Sequence, residues 1–196
     1  MWTVPNLLTI ARIAAAPAVA LMLMSGGGAP VWALVVFTVA ALTDFVDGWL
    51  ARRLGQVSAL GTMLDPIADK AMVIIVLAAL MADDSWLPVG GALLVALPAV
   101  VIMLREVLVS GLREYLGAVK LAVTPLAKGK TTLQLVAIGT LIGAPALRAL
   151  GAGPGAADTV LSLGLLLLWL AAGLTLWTGI DYFLKARPHL AARKER

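Results

Sequence analysis

The stretch Asp44-Phe-Val-Asp47-Gly48-Trp-Leu-Ala51-Arg52, followed after eight residues by Gly61-Thr-Met-Leu-Asp65-Pro-Ile-Ala-Asp69, decides how this chain is read. Four carboxylates fall within 26 positions, inside runs that are otherwise apolar. At about 100° per residue, Asp47 lies roughly 60° from Asp44, Gly48 about 40° and Ala51 about 20°, so all four share one helical face. Gly61, Asp65 and Asp69 step by four and form a second carboxylate face on the next helix. Helices joined by a short polar turn pack antiparallel, which lets the two faces meet. Four carboxylates at low dielectric repel and take up protons unless cations neutralise them. Oxygen-only ligands suit Mg²⁺, Mn²⁺ or Ca²⁺. Gly48, Ala51 and Gly61 leave a flat-walled gap where a ring or a diphosphate can approach the backbone; plain helix packing is the other account of these small residues.

The surroundings of that stretch set its environment. Of 196 residues, 61% are hydrophobic and 13% charged, and the mean hydropathy is +0.99. Soluble domains are about a quarter charged, so a soluble globular enzyme is excluded, and so is disorder, which needs low hydrophobicity. A membrane-crossing helix needs about 20 apolar residues. Six stretches come close: Leu7 to Met24, Val31 to Leu54, Thr62 to Met81, Pro88 to Leu116, Thr132 to Leu150 and Asp158 to Leu184. Breakers separate them at Ser25 to Pro30, Asp83-Asp84-Ser85, Gly117 to Lys130 and Gly151 to Gly155. The start carries no basic side chain before the first span and does not resemble a cleavable leader.

Loop charge gives an orientation. Arg52, Arg53, Lys120, Lys128, Lys130 and the tail Lys185, Arg187, Arg193, Lys194 and Arg196 share one side; the other offers Arg148 with Asp83, Asp84 and Asp158. The positive-inside rule places both termini in the cytoplasm. The net charge of +4 is read as topology and attraction to lipid headgroups, not as a nucleic-acid interface. There are no cysteines, so thiolate chemistry is excluded, and the single His189 lies in the charged tail. The expectation is one all-α integral membrane domain over residues 1–196, with six transmembrane helices and a site between helices two and three on the cytoplasmic side. A small cation carrier would also use intramembrane carboxylates, but the chain shows no internal repeat of the kind such carriers carry.

The complete pattern D-x2-D-G-x2-A-R-x8-G-x3-D-x3-D, from Asp44 to Asp69, resembles the signature of the CDP-alcohol phosphotransferases. Pro5 to Ile13, Arg105 to Glu114 and Lys128 to Gln134 are similar to segments of the bacterial branch of that family that makes phosphatidylglycerol phosphate. The stretch from Ala144 to Asp158 carries no such resemblance. The resemblance implies a multi-pass homodimeric enzyme of the bacterial inner membrane, holding Mg²⁺ or Mn²⁺ as two ions. It further implies transfer of a phosphatidyl group from CDP-diacylglycerol to sn-glycerol 3-phosphate, releasing CMP. Inositol phosphate, serine and phosphatidylglycerol are the alternative acceptors.

Carried over residue by residue, the resemblance makes Asp44, Asp47 and Asp65 metal ligands. Asp69 matches the general base and is also counted as a metal ligand. Gly48, Arg52 and Ser58 match positions that contact the nucleotide, with Ala51 and Gly61 beside them. Arg113 and Lys130 match anchors for an anionic acceptor, and Arg105 is a third candidate cation. Arg105-Glu106 and Arg113-Glu114 also read as ion pairs stabilising a long helix. Arg12 lies too deep in the first span to snorkel; a lipid phosphate or Asp181 is its expected partner.

Overall fold

The computed structural model describes residues 3–26, 28–54, 58–83, 85–117 and 125–192, with the backbone alone at 4–5, 44–54, 125–128 and 191–192. Six helices follow in order: α1 (Val4–Met24), α2 (Ala29–Leu54), α3 (Ala59–Ala82), α4 (Ala92–Leu116), α5 (Pro125–Ala149) and α6 (Pro154–Ala192). No strand occurs among the described residues. Four of the helices contain segments long and apolar enough to cross a membrane: Asn6–Met24, Ala92–Leu116, Gly129–Ala149 and Pro154–Leu190. In α2 the apolar segment among the described residues is the shorter Ala29–Thr43.

Local chemistry sets the helix ends. Ser58 caps α3, its hydroxyl accepting from the Gly61 amide at 2.9 Å. At the other end of α3 the Ser85 hydroxyl, and then its amide, hold the Asp83 carboxyl below its ordinary value. Gly117, at φ +57°, closes α4 by donating to the carbonyls of Arg113 and Glu114. Two expected boundaries are corrected. The segment through Lys130 does not stay outside the fifth helix, and Gly151 to Gly155 is only partly a linker. Pro125 and Pro154 open α5 and α6, because proline loses nothing at a first helical position, where its missing N–H has no partner anyway. Helix α6 also runs eight residues past Leu184.

Around the bundle the contact order is α1, α2, α5, α6, α4, α3 and back to α1, and α3 also touches α5 across the middle. The interior is filled by Met72, Leu77 and Leu80 of α3, Ile102 of α4, Ile138, Leu141 and Ile142 of α5 and Leu168 of α6. Lipid is as apolar as that core, so close packing holds the helices together in place of water exclusion. Small residues permit it: Ala16, Ala33, Ala99, Ala137 and Ala171 are fully buried. At Gly164 an added Cβ would come within 2.8 Å of Leu141. A second, smaller cluster joins Val109, Leu112 and Leu116 to Tyr182 and Ala186, which fastens the extension of α6 to the end of α4.

Candidate active site

Helix α3 carries Asp65 and Asp69 one turn apart, and α1 packs along that face. Thr9 Oγ1 donates to Asp65 Oδ1 at 2.8 Å, and Arg12 Nη1 donates to Asp69 Oδ1 at 2.9 Å. One turn before Thr9 on α1, Asn6 Oδ1 accepts from the hydroxyl of Ser58, the N-cap of α3, at 2.8 Å. Arg12 is buried, whereas 40% of the Asp69 side chain is exposed. Of the expected partners Asp181 is not the one met: it is engaged by Lys185 at 2.6 Å, while Arg12 reaches Asp69. Ser58 acts as a helix cap, and the gap expected beside Gly61 holds Asn6. A Cβ at Gly61 would come within 2.7 Å of Asn6 Oδ1. Glycine at 61 is what lets α1 approach α3 this closely.

The backbone of α2 is helical through Asp44, Asp47, Gly48, Ala51 and Arg52. Their side chains lie outside the described residues, as do those of Lys120 and Lys128. No group of three metal-ligating side chains occurs among the described residues. What they supply is two carboxylates one turn apart with oxygen donors only, which fits a hard divalent cation of the Mg²⁺ or Mn²⁺ type.

Beside Asp69 a cavity of about 230 Å³ opens between α3, α4 and α5. Among the described residues four cations line it, Lys70, Arg105, Arg113 and Lys130, against two carboxylates, Asp69 and Glu106. The cavity thus brings together all three expected acceptor cations and the expected base. Lys130 is buried and bonded to Glu106 Oε1, to which Arg105 Nη1 also points at 3.4 Å. The Arg105 stem lies on α6, where a Cβ at Gly179 would come within 2.9 Å of its Cγ. Arg113 does not turn to its neighbour Glu114; its guanidinium sits 5.9 Å from the centroid of the Tyr182 ring, a cation–π distance. Behind Lys130, Gln134 donates to Thr175 at 2.9 Å, both buried. The buried Lys130–Glu106 pair is tolerated because each charge has a partner; Arg113 is exposed, and the described lining holds an excess of two positive charges.

Sequence reasoning missed Glu106 as the residue that links α4 to α5, gave no role to Asn6 and Thr9 within the family-like segment Pro5 to Ile13, and missed Tyr182. The α1 residues had a signal: Asn6, Thr9 and Arg12 stand three apart in a span that is otherwise apolar.

A bundle of apolar helices with two carboxylates one turn apart on α3 and a cationic cavity beside them defines a class. The chain matches the family model of the CDP-alcohol phosphatidyltransferases over residues 2–177, and it belongs to that family. Within the family, it is 44% identical to a protein of Cereibacter sphaeroides, over 98% of this chain and 99% of that one. It is 41% identical to one of Rickettsia bellii, over 91% and 92%, and 36% identical to one of Pseudomonas fluorescens, over 98% and 95%. All three are named CDP-diacylglycerol–glycerol-3-phosphate 3-phosphatidyltransferase.

Proposed function

We propose that this chain transfers the phosphatidyl group of CDP-diacylglycerol to sn-glycerol 3-phosphate, giving phosphatidylglycerol phosphate and CMP. Near-full-length relatives bearing that name support the reading. The observation that carries it is the cavity beside Asp69, whose two excess positive charges match a phosphate monoester dianion. Serine, a zwitterion with no phosphate dianion, would not match that excess charge.

In this reading Arg105, Arg113 and Lys130 hold the acceptor phosphate. The acceptor hydroxyl is thereby directed at Asp69, which takes its proton as the oxygen attacks the phosphorus that bears diacylglycerol. The bond from that phosphorus to CMP breaks, and CMP leaves. Asp44, Asp47, Asp65 and Asp69 would hold two ions of Mg²⁺ or Mn²⁺, which clamp the diphosphate and neutralise the leaving oxygens. Gly48, Ala51 and Arg52 face the nucleotide from α2. All six helices cross the bacterial inner membrane, with the site at the cytoplasmic ends of α2 and α3, both termini in the cytoplasm, and two copies forming a dimer. The lipid tails stay in the bilayer while nucleotide and acceptor meet at its surface.

Purified protein with CDP-diacylglycerol and Mg²⁺ or Mn²⁺, scored for CMP release against glycerol 3-phosphate, inositol phosphate, serine, phosphatidylglycerol and glycerol, tests the proposal. Saturable release with glycerol 3-phosphate is expected. Equal kcat/KM for glycerol or serine would refute the role given to the cations.

A further inference from the structure

Helix α1 has no part in the reaction set out above, yet Asn6, Thr9 and Arg12 are 1%, 1% and 3% exposed and reach its carboxylate face. Residues three apart on α1 meet residues four apart on α3: Asn6 lies against Gly61, Thr9 meets Asp65 and Arg12 meets Asp69. Rows of these two spacings interlock when helices lie nearly along one another. The match delivers one donor to each of the two aspartates, and those donors differ in charge.

We infer that Thr9 and Arg12 are positioning residues that give Asp65 and Asp69 different work. Thr9 brings a neutral hydroxyl, which fixes one oxygen of Asp65 and leaves its whole negative charge for a cation. Outer hydrogen bonds of this kind orient metal-ligating carboxylates. Arg12 brings a positive charge 2.9 Å from Asp69 Oδ1, which balances that carboxylate and repels a second cation. Asp65 is then the strong cation ligand. Asp69 is the weak one, and its orientation is set by α1. The inference rests on the cation site proposed at the four aspartates.

The test is Mn²⁺ binding to the purified full chain without nucleotide or acceptor, followed by the electron paramagnetic resonance signal of the free ion. Thr9→Val should weaken binding about tenfold or more, and Thr9→Ser should restore it. Arg12→Gln should tighten binding, by about threefold or more at low ionic strength, and the gain should shrink as salt is added. General loss of packing would not move the two in opposite directions. Weakening by both substitutions, or unchanged binding in Thr9→Val, overturns the inference. If Arg12→Gln does not fold, the Thr9→Val and Thr9→Ser pair decides alone. No Mn²⁺ uptake by the unsubstituted chain would instead bring down the cation site itself, a result distinct from uptake with the wrong signs.

Discussion

The two ends of the bundle treat their charges in opposite ways. Away from the site, Arg148 at the end of α5 donates to the Trp86 carbonyl at 2.6 Å and to Asp158 at 2.8 Å. Both charged side chains there are well exposed, at 37% and 61%. That cation is fully engaged within the protein and tethers two turns. At the cavity, Lys130 and Arg105 share a single carboxylate, Glu106, and Arg113 has only an aromatic face. Positive charge is in excess among the described residues of the lining, from the buried Lys130 out to the exposed Arg113. Apolar side chains of similar size would serve stability as well as or better than the buried Lys130–Glu106 pair, so stability alone does not call for it.

The contrast breaks most visibly at Lys130. Lys130→Met leaves Glu106 with a weaker partner in a buried setting, and loss of one member of such a pair costs about 3–5 kcal/mol, measured as a fall in Tm. Adding Glu106→Met should recover most of that stability without recovering use of glycerol 3-phosphate. Recovery of both would make the pair purely structural. Next in size is Asp69→Asn, which keeps the shape but cannot accept the proton. Its kcat at saturating substrates should fall by roughly 10²-fold, while donor binding largely survives; a near-normal kcat would remove Asp69 from the chemistry. Tyr182→Leu withdraws the ring beneath Arg113. Since such contacts contribute about 0.5–1 kcal/mol at accessible positions, KM for glycerol 3-phosphate should rise a few-fold with KM for the CDP-lipid unchanged. Smallest is Arg148→Ala, an exposed pair worth about 0–1 kcal/mol. A slight drop in Tm and unaltered kinetics are expected, and a large kinetic effect would erase the distinction between the two ends.

How much of this was legible depended on whether neighbours in space were also neighbours in sequence. The carboxylate face was, because Asp65 and Asp69 repeat within one helix and stand out against apolar residues. The partner of Arg12 was not. Nothing in its own span says that α1 lies along α3, so Asp181 was as reasonable a choice as Asp69. Glu106 reads in sequence as the partner of Arg105, and the structure keeps that contact at 3.4 Å. Its main bond goes to Lys130 on α5, a contact that only the ring of helices creates. The early start of α5 went unseen for a related reason: Lys130 looks like loop polarity until a buried acid is found opposite it.

The central claim is that the cationic cavity binds a phosphate-bearing acceptor. Equilibrium binding of labelled glycerol 3-phosphate to the full chain, with no CDP-lipid present, tests it most directly. Loss of a charged hydrogen-bond partner costs roughly 1.5–3 kcal/mol, so Arg113→Ala should bind about tenfold or more weakly. Arg148→Ala should bind as the unsubstituted chain does, and unlabelled glycerol should not compete. Equal binding by Arg113→Ala and the unsubstituted chain, or competition by glycerol at matching concentration, would contradict the account.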